Sequence, residues 1–135
     1  MRKQYNAYVV DADTSARMGI KRLLVAAGYN VKEYASVGEF ENVLESGISG
    51  FVIIDTGMLR MTGLRLYTKM NKLGLSIPII AVNSDDNETT RKKAKEIKAV
   101  GFFRKPVDGT ALLDAIKWTL KEDKKGKNHD NVLGG

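Results

Sequence analysis

Cysteine is absent from this chain of 135 residues, and proline occurs only twice. Without cysteine the chain forms neither disulfide bonds nor a thiolate metal site. No apolar run approaches the ~20 residues that a membrane-spanning helix needs, and the apolar stretch near the first residue is too short for a signal peptide. These absences predict a cytoplasmic protein that makes no membrane contact.

Positive charge is in moderate excess, with 22 lysine and arginine residues against 16 aspartate and glutamate residues and a formal net charge of +6. Such an excess suits contact with nucleic acid or acidic surfaces. The basic residues are scattered along the chain, however, and this favours an ordinary solvated surface. The hydrophobic content of 43% and the length suit a globular domain of about 100–150 residues with its own core.

Four apolar runs in the chain are each followed, at once or after one residue, by a polar side chain: Asp11, Asp55, Asn83 and Lys105. Stretches with helical periodicity separate the runs. This alternation predicts a parallel sheet whose carboxyl edge carries two carboxylates, an amide and an ammonium group. Ligands of open α/β sheets bind at that edge.

We predict five strands that alternate with five helices in a flavodoxin-like three-layer α/β sandwich, with a parallel sheet of order 2-1-3-4-5. The strands are expected at 5–10, 31–34, 51–54, 77–82 and 101–104. The helices are expected at 14–27, from a capping box at 36–39, at 66–73, at 88–98 and from 108 to about 120. Residues 1–122 are predicted to form the domain, and 123–135, which are polar and lack periodicity, a flexible tail or linker stub.

The predicted sheet order places Asp11 and Asp55 on neighbouring strands, at the point where the strand order reverses. Two adjacent carboxylates repel each other unless a cation lies between them, and Mg²⁺ with its preference for oxygen ligands meets that need. Lys105 supplies a positive charge for a bound anion, and the amide of Asn83 supplies a hydrogen-bond donor. The residues therefore predict a site for a small anion, such as a phosphoryl group on an aspartate.

Four motifs carry a resemblance to a known family: VVDAD (9–13), VIIDTGMLRMTG (52–63), PIIAVN (78–83) and FFRKP (102–106). In this order and at these spacings, the chain resembles a response-regulator receiver domain of two-component signalling. The resemblance extends from Tyr5 to about Leu120. It implies a signalling module that is not an enzyme and does not itself bind nucleic acid.

The resemblance also implies a role for individual residues. Asp55 would accept a phosphoryl group from a histidine kinase or a phosphotransfer protein, and Lys105 would contact the phosphoryl oxygens. Mg²⁺ would be held by Asp11, Asp55 and the backbone carbonyl of Gly57. Phe102 and Asn83 occupy the positions of the family's switch residues. The surface formed by helix 4, strand 5 and helix 5 would contact partners, including a second copy in a homodimer.

Three residues depart from the family pattern. Ala12 stands where the family has a second acidic metal ligand, Asn83 replaces a hydroxyl residue, and Leu59 replaces a proline. Asp13 is either a substitute metal ligand or the N-cap of the first helix. These departures imply weaker Mg²⁺ binding or an altered switch.

Two further hypotheses stay open on the sequence alone. A degenerate receiver would keep the fold and bind a protein partner without phosphorylation. A phosphatase of the haloacid-dehalogenase type would use the acidic pair Asp11 and Asp13 as nucleophile and acid. The phosphatase hypothesis lacks the acidic pair that should follow Lys105.

Overall fold

The computed structural model describes residues 5–59 and 63–133, with side chains described as far as residue 122. The strands are β1 (Asn6–Val10), β2 (Asn30–Tyr34), β3 (Phe51–Asp55), β4 (Ile79–Asn83) and β5 (Gly101–Arg104). The helices are α1 (Thr14–Ala26), α2 (Val37–Val43), α3 (Leu64–Lys72), α4 (Glu88–Glu96) and α5 (Gly109–Leu133), with a 3₁₀ turn at Thr56–Met58. None of the described helices is long and apolar enough to cross a membrane.

The five strands form one parallel sheet of order β2-β1-β3-β4-β5, which confirms the predicted topology. In its register Val10 of β1 lies beside Ile54 of β3. The residues that follow these two, Asp11 and Asp55, therefore emerge side by side at the carboxyl edge. The backbone register alone brings the predicted acidic pair together.

The two faces of the sheet bury separate clusters, because successive side chains of a strand point to opposite faces. One cluster packs Val10 and Ile54 against Phe40 of α2 and Leu66 of α3. The other contains these buried side chains of the strands, α1 and α5: Val9, Ile53, Ile80, Val82, Ile20, Leu24, Leu112 and Ile116. Helices thus cover both faces of the sheet, as the predicted three-layer arrangement requires.

Side chains that accept backbone hydrogen bonds mark where α2, α4 and α5 begin. Ser36 accepts from the amide of Glu39, and Asn87 and Thr90 form a reciprocal capping box at α4. Asp108 accepts from the amide of Ala111 at 3.0 Å, as expected for the start of α5. These side chains pair amides that the first helical turn leaves without partners.

Most element ends differ from the sequence prediction by one or two residues, and two of these differences have a clear physical cause. Strand β4 begins at Ile79 and not at 77, because Pro78 has no amide to donate and contributes only its carbonyl, to Val52. Helix α4 ends at Glu96 and not at 98, because Lys98 adopts a left-handed conformation with φ 58°. The amide of Ala99 then bonds back to the carbonyl of Ala94 and closes the helix.

Helix α5 extends beyond the predicted end near 120, and its backbone is helical through Leu133. The segment 123–135 was expected to be a flexible tail, and residues 134 and 135 lie outside the described residues. The division of the chain into a domain at 1–122 and a tail stays a prediction.

Candidate functional site

Two carboxylates share one ammonium group at the carboxyl edge of the sheet. The Nζ atom of Lys105 lies 2.7 Å from Oδ2 of Asp11 and 2.8 Å from Oδ2 of Asp55. The Asp55 contact has hydrogen-bond geometry, whereas Oδ2 of Asp11 is buried and has no directional hydrogen bond. The structure thus brings together three of the residues that the sequence singled out.

Asp11 is fixed from several sides. Its amide donates to the carbonyl of Tyr34, and its Oδ1 accepts from the amide of Asp13 at 2.9 Å. Arg17 on α1 donates to the carbonyl of Asp11 at 2.6 Å and also binds Glu33 at the end of β2. Arg17 was not predicted as part of the site, although its position four residues after the N-cap of α1 turns it towards this strand end.

Asp55 is held by the turn that follows it. Its Oδ1 accepts from the amide of Gly57 at 2.8 Å, which leaves Oδ2 directed at Lys105. A Cβ atom placed on Gly57 would lie 3.1 Å from Oδ1 of Asp55 and 3.6 Å from Nδ2 of Asn83. The missing side chain at Gly57 therefore leaves space beside the carboxylate.

Lys105 reaches the site because the chain stays paired with the end of β4 for one residue beyond β5. Its amide donates to the carbonyl of Asn83 at 2.8 Å, and the peptide bond to Pro106 is cis. Partial burial acts to lower the pKa of Lys105, but the short contacts with the carboxylates of Asp11 and Asp55 outweigh it and raise that pKa above its usual value. Lys105 is therefore a permanent cation at neutral pH.

Asn83 was expected to offer its amide group to an anion. Its Nδ2 donates to Oγ1 of Thr56 at 3.0 Å, and its Oδ1 accepts from the amide of Asp85 at 2.9 Å. Asn83 and Thr56 are both buried, with 7% and 0% of their surface exposed. Thr56 was not predicted as part of the site, although a hydroxyl directly after Asp55 was the available signal.

Asp13 does not join the acidic pair. Its exposed carboxylate accepts from the amide of Ala16 at 3.3 Å and caps α1, which is the structural role left open by the sequence. Ala12 beside it is exposed and provides no ligand atom in its side chain. Among the residues that the structure describes, no three histidine, cysteine, aspartate or glutamate side chains converge on one metal position.

The carboxylates of Asp11 and Asp55 still fit a hard divalent cation, although Asp13 does not join them. The Oδ2 atoms of Asp11 and Asp55 converge on the position of a single cation, which the ammonium of Lys105 fills. Buried Oδ2 of Asp11 lacks a directional hydrogen bond and is thus a ready ligand. Two carboxylates, one backbone carbonyl and water can complete the coordination of Mg²⁺.

Phe102 lies outside this cluster, half-buried on β5. The guanidinium of Arg91 lies 5.6 Å from the centre of its ring, within the range of a cation–π contact. Arg91 is oriented by two hydrogen bonds to Asp86, at 2.6 and 2.9 Å. Phe102 therefore belongs to the surface between α4 and β5, and its switch role stays a prediction.

The fold and the site define a class of protein: a doubly wound parallel sheet with an acidic pair and a lysine at its carboxyl edge. The model of the family described as "Response regulator receiver domain" matches residues 7–117. The chain belongs to this family of receiver domains. Members of the family typically act as signalling modules, so the assignment does not favour the phosphatase hypothesis.

Named relatives agree with this assignment. Over 114 residues the chain is 33% identical to the response regulator protein TmoT of Ectopseudomonas mendocina, covering 84% of this chain and 52% of TmoT. It is 32% identical to the response regulator protein TodT of Pseudomonas putida, covering 84% of this chain and 50% of TodT. The chain thus spans about half the length of the curated relatives it matches.

Solved structures show the same architecture. A CheY-like response regulator receiver domain protein from Methanospirillum hungatei JF-1 superposes with a TM-score of 0.80 at 27% identity, covering 92% of this chain and 99% of that chain. The response regulator StyR superposes with a TM-score of 0.76 at 27% identity, covering 98% of this chain and 67% of StyR. These neighbours confirm the predicted fold class.

Proposed function

We propose that this chain is a phosphoacceptor module that takes a phosphoryl group on Asp55 from a histidine kinase or a phosphotransfer protein. One observation carries the proposal: Oδ2 of Asp55 lies 2.8 Å from the ammonium of Lys105, which also pairs with Asp11. A carboxylate held beside a fixed cation is prepared to attack an anionic group, because the cation offsets the repulsion between the two anions.

The transfer forms a bond from a carboxylate oxygen of Asp55 to phosphorus and breaks the bond from phosphorus to the donor's imidazole nitrogen. Lys105 neutralises charge on the phosphoryl oxygens and needs no proton transfer to do so. The amide of Gly57 orients the attacking carboxylate through Oδ1. Mg²⁺ held by Asp11, Asp55 and the Gly57 carbonyl would supply further charge neutralisation at the transferring group.

The donor would dock along α1, next to the acidic pair. Met18 and Val25 on this helix are large apolar side chains with 41% and 54% of their surface exposed. They line a groove of about 530 Å³ together with Arg17 and Lys21. An apolar helix face close to Asp11 suits a helical donor protein that carries the phosphohistidine.

The output surface would be the one formed by α4, β5 and α5, as the resemblance implies. Phe102 and Arg91 lie on it, and Trp118 on α5 has 64% of its surface exposed. Exposed tryptophan and arginine side chains are enriched in protein interfaces. Such a surface would bind a partner protein or a second copy of the chain.

Phosphorylation is tested with acetyl phosphate and Mg²⁺, followed by intact-mass measurement. We expect one added phosphoryl group in the parent protein and none in Asp55→Asn. Asp114→Asn, which changes an exposed aspartate on α5, is the matched control and should react like the parent. Absence of any mass shift in the parent, together with unchanged NMR spectra on adding beryllofluoride, would contradict the proposal.

A second candidate function is a receiver that binds its partner without phosphorylation. Ala12 favours it, because the site lacks the third carboxylate, and Asn83 favours it, because an amide stands where the family has a hydroxyl residue. The double variant Ala12→Asp and Asn83→Thr should then gain Mg²⁺-dependent phosphorylation that the parent lacks. Efficient phosphorylation of the parent would exclude this candidate.

A further inference from the structure

A buried hydrogen bond joins the turn after Asp55 to the end of the neighbouring strand. Nδ2 of Asn83 donates to Oγ1 of Thr56 at 3.0 Å, and little or none of either residue is exposed to solvent. In this chain Thr56 directly follows Asp55, and Asn83 stands where the family has a hydroxyl residue. These two residues therefore form a matched polar pair.

The other atoms of Asn83 are also engaged. Its Oδ1 accepts from the amide of Asp85 in the loop between β4 and α4, and its backbone carbonyl accepts from the amide of Lys105. Asn83 thus connects three parts of the site: the turn after Asp55, the β4–α4 loop and the end of β5 that leads to Lys105. Movement of its side chain would break contacts to the first two.

Burial makes this arrangement resistant to rearrangement. An amide group that loses its partners inside a protein keeps the cost of desolvation without the compensating hydrogen bonds. Rotation of the Asn83 side chain would leave its amide group, the Thr56 hydroxyl and the Asp85 amide without these bonds at the same time. A small hydroxyl side chain at position 83 would not be held in this way.

We propose that Thr56 is a positioning residue that locks the Asn83 amide in place, so that Asn83 is a fixed hydrogen-bond donor beside Asp55. Both Oδ1 of Asp55 and Nδ2 of Asn83 border the space left open by Gly57. This hydrogen bond between Thr56 and Asn83, which we call the lock, ties the β4–α4 loop to the turn after Asp55. Asn83 therefore does not move as a switch. The donor role rests on the proposed phosphorylation of Asp55, whereas the lock itself does not.

The lock is tested first without any phosphoryl group, by hydrogen exchange of the Asp85 amide followed by NMR. Thr56→Val removes the hydroxyl at nearly constant shape and should speed this exchange about tenfold, whereas Thr56→Ser should restore slow exchange. Thr119→Val, at another buried threonine, is the matched control and should leave Asp85 unchanged. Equal exchange in the parent and in folded Thr56→Val would overturn the lock.

A second variant covers the case in which Thr56→Val does not fold. Thr56→Ala removes the same hydrogen bond to Asn83 with a smaller side chain and should also speed exchange of the Asp85 amide about tenfold. Unchanged exchange in this variant would overturn the lock as well.

The fixed-donor role is tested by adding beryllofluoride and Mg²⁺ to the parent and to Asn83→Thr. We expect the Asp85 amide to stay protected in the parent, with larger shift changes in the β4–α4 loop of Asn83→Thr. Loss of Asp85 protection in the beryllofluoride-bound parent would show that Asn83 moves and would overturn the role. If the parent binds no beryllofluoride, the proposed function and this role fail together, while the exchange experiment still decides on the lock.

Discussion

The ammonium of Lys105 lies 2.7 Å from Oδ2 of Asp11, a residue with only 1% of its surface exposed. Burying a charged group costs free energy unless an opposite charge compensates for its lost hydration. Lys105 provides that charge and shares it with Asp55. The stability of this sheet edge and the chemistry proposed for it therefore depend on the same side chain.

Replacing Lys105 with methionine removes the charge and keeps most of the side-chain volume. We expect Lys105→Met to lower the free energy of unfolding by about 3 kcal/mol, because two neighbouring carboxylates lose their common counterion. Added Mg²⁺ should restore part of that loss, since it binds the folded site that the ammonium has left. Urea denaturation with and without Mg²⁺ measures both effects.

Lys92→Met is the control for this experiment, because Lys92 is an exposed lysine on α4. This variant should change the free energy of unfolding by less than about 0.5 kcal/mol and should not respond to Mg²⁺. An equally stable Lys105→Met would contradict the role of Lys105 as the counterion.

The strand ends of the sheet could be predicted from the sequence. A buried strand followed directly by a carboxylate places that carboxylate at the carboxyl edge, and the strand order then makes Asp11 and Asp55 neighbours. Lys105 follows from the same reasoning, because it comes directly after β5. The period of the strands and the direction of their connections are sufficient to place all three residues.

The partners of individual side chains could not be predicted in this way. The donor role of Asn83 towards an anion stays a prediction, whereas its bond to Thr56 was not predicted, because the acceptor that a buried amide finds depends on the packing around it. Asp13 had two roles open, and only its contact with Ala16 identifies it as the cap of α1. Such choices depend on distances of a few tenths of an ångström, which residue patterns do not contain.

A substitution at Gly57 should affect the reactivity of Asp55 more than the stability of the fold. Its φ angle is not positive, so Gly57→Ala should change the free energy of unfolding by less than about 1 kcal/mol. The added Cβ, at 3.1 Å from Oδ1 of Asp55, should shift the carboxylate by a few tenths of an ångström and slow phosphorylation about tenfold. Acetyl phosphate kinetics and urea denaturation measure the two quantities, and an unchanged rate would contradict this view of the pocket.

Gly50 is required at the entrance of β3. Its φ is +127°, and a Cβ atom there would overlap the backbone oxygen of Asn6. We expect Gly50→Ala to lower the free energy of unfolding by about 4 kcal/mol, because neither the backbone conformation nor the contact can relax easily. Thermal and urea denaturation measure this loss.

Gly28→Ala separates the effect of a positive φ angle from the effect of the contact with Asn6. Gly28 also has a positive φ, +95°, but no atom lies within 4 Å of an added Cβ. This variant should lose only about 1 kcal/mol, from backbone strain alone. Equal losses in the two variants would show that the contact with Asn6 adds nothing.

Glu33 should make part of the stability depend on acidic pH. Hydrogen bonds from Lys21 and then from Arg17 lower the pKa of Glu33 below its usual value, and its side chain is 30% exposed. A carboxylate whose pKa is lower in the folded protein stabilises the fold at pH values above its unfolded pKa, ~4.3. This contribution is lost as the pH falls through the folded pKa.

Glu33→Gln therefore should be less stable than the parent at pH 7, by less than about 1 kcal/mol because water and salt screen a partly exposed pair. The difference should shrink as the pH is lowered below about 4 and should also shrink in high salt. Urea denaturation across this pH range measures it, with Glu45→Gln as the control at an exposed glutamate. A difference that stays constant down to the lowest pH would mean that Glu33 acts through packing and not through its charge.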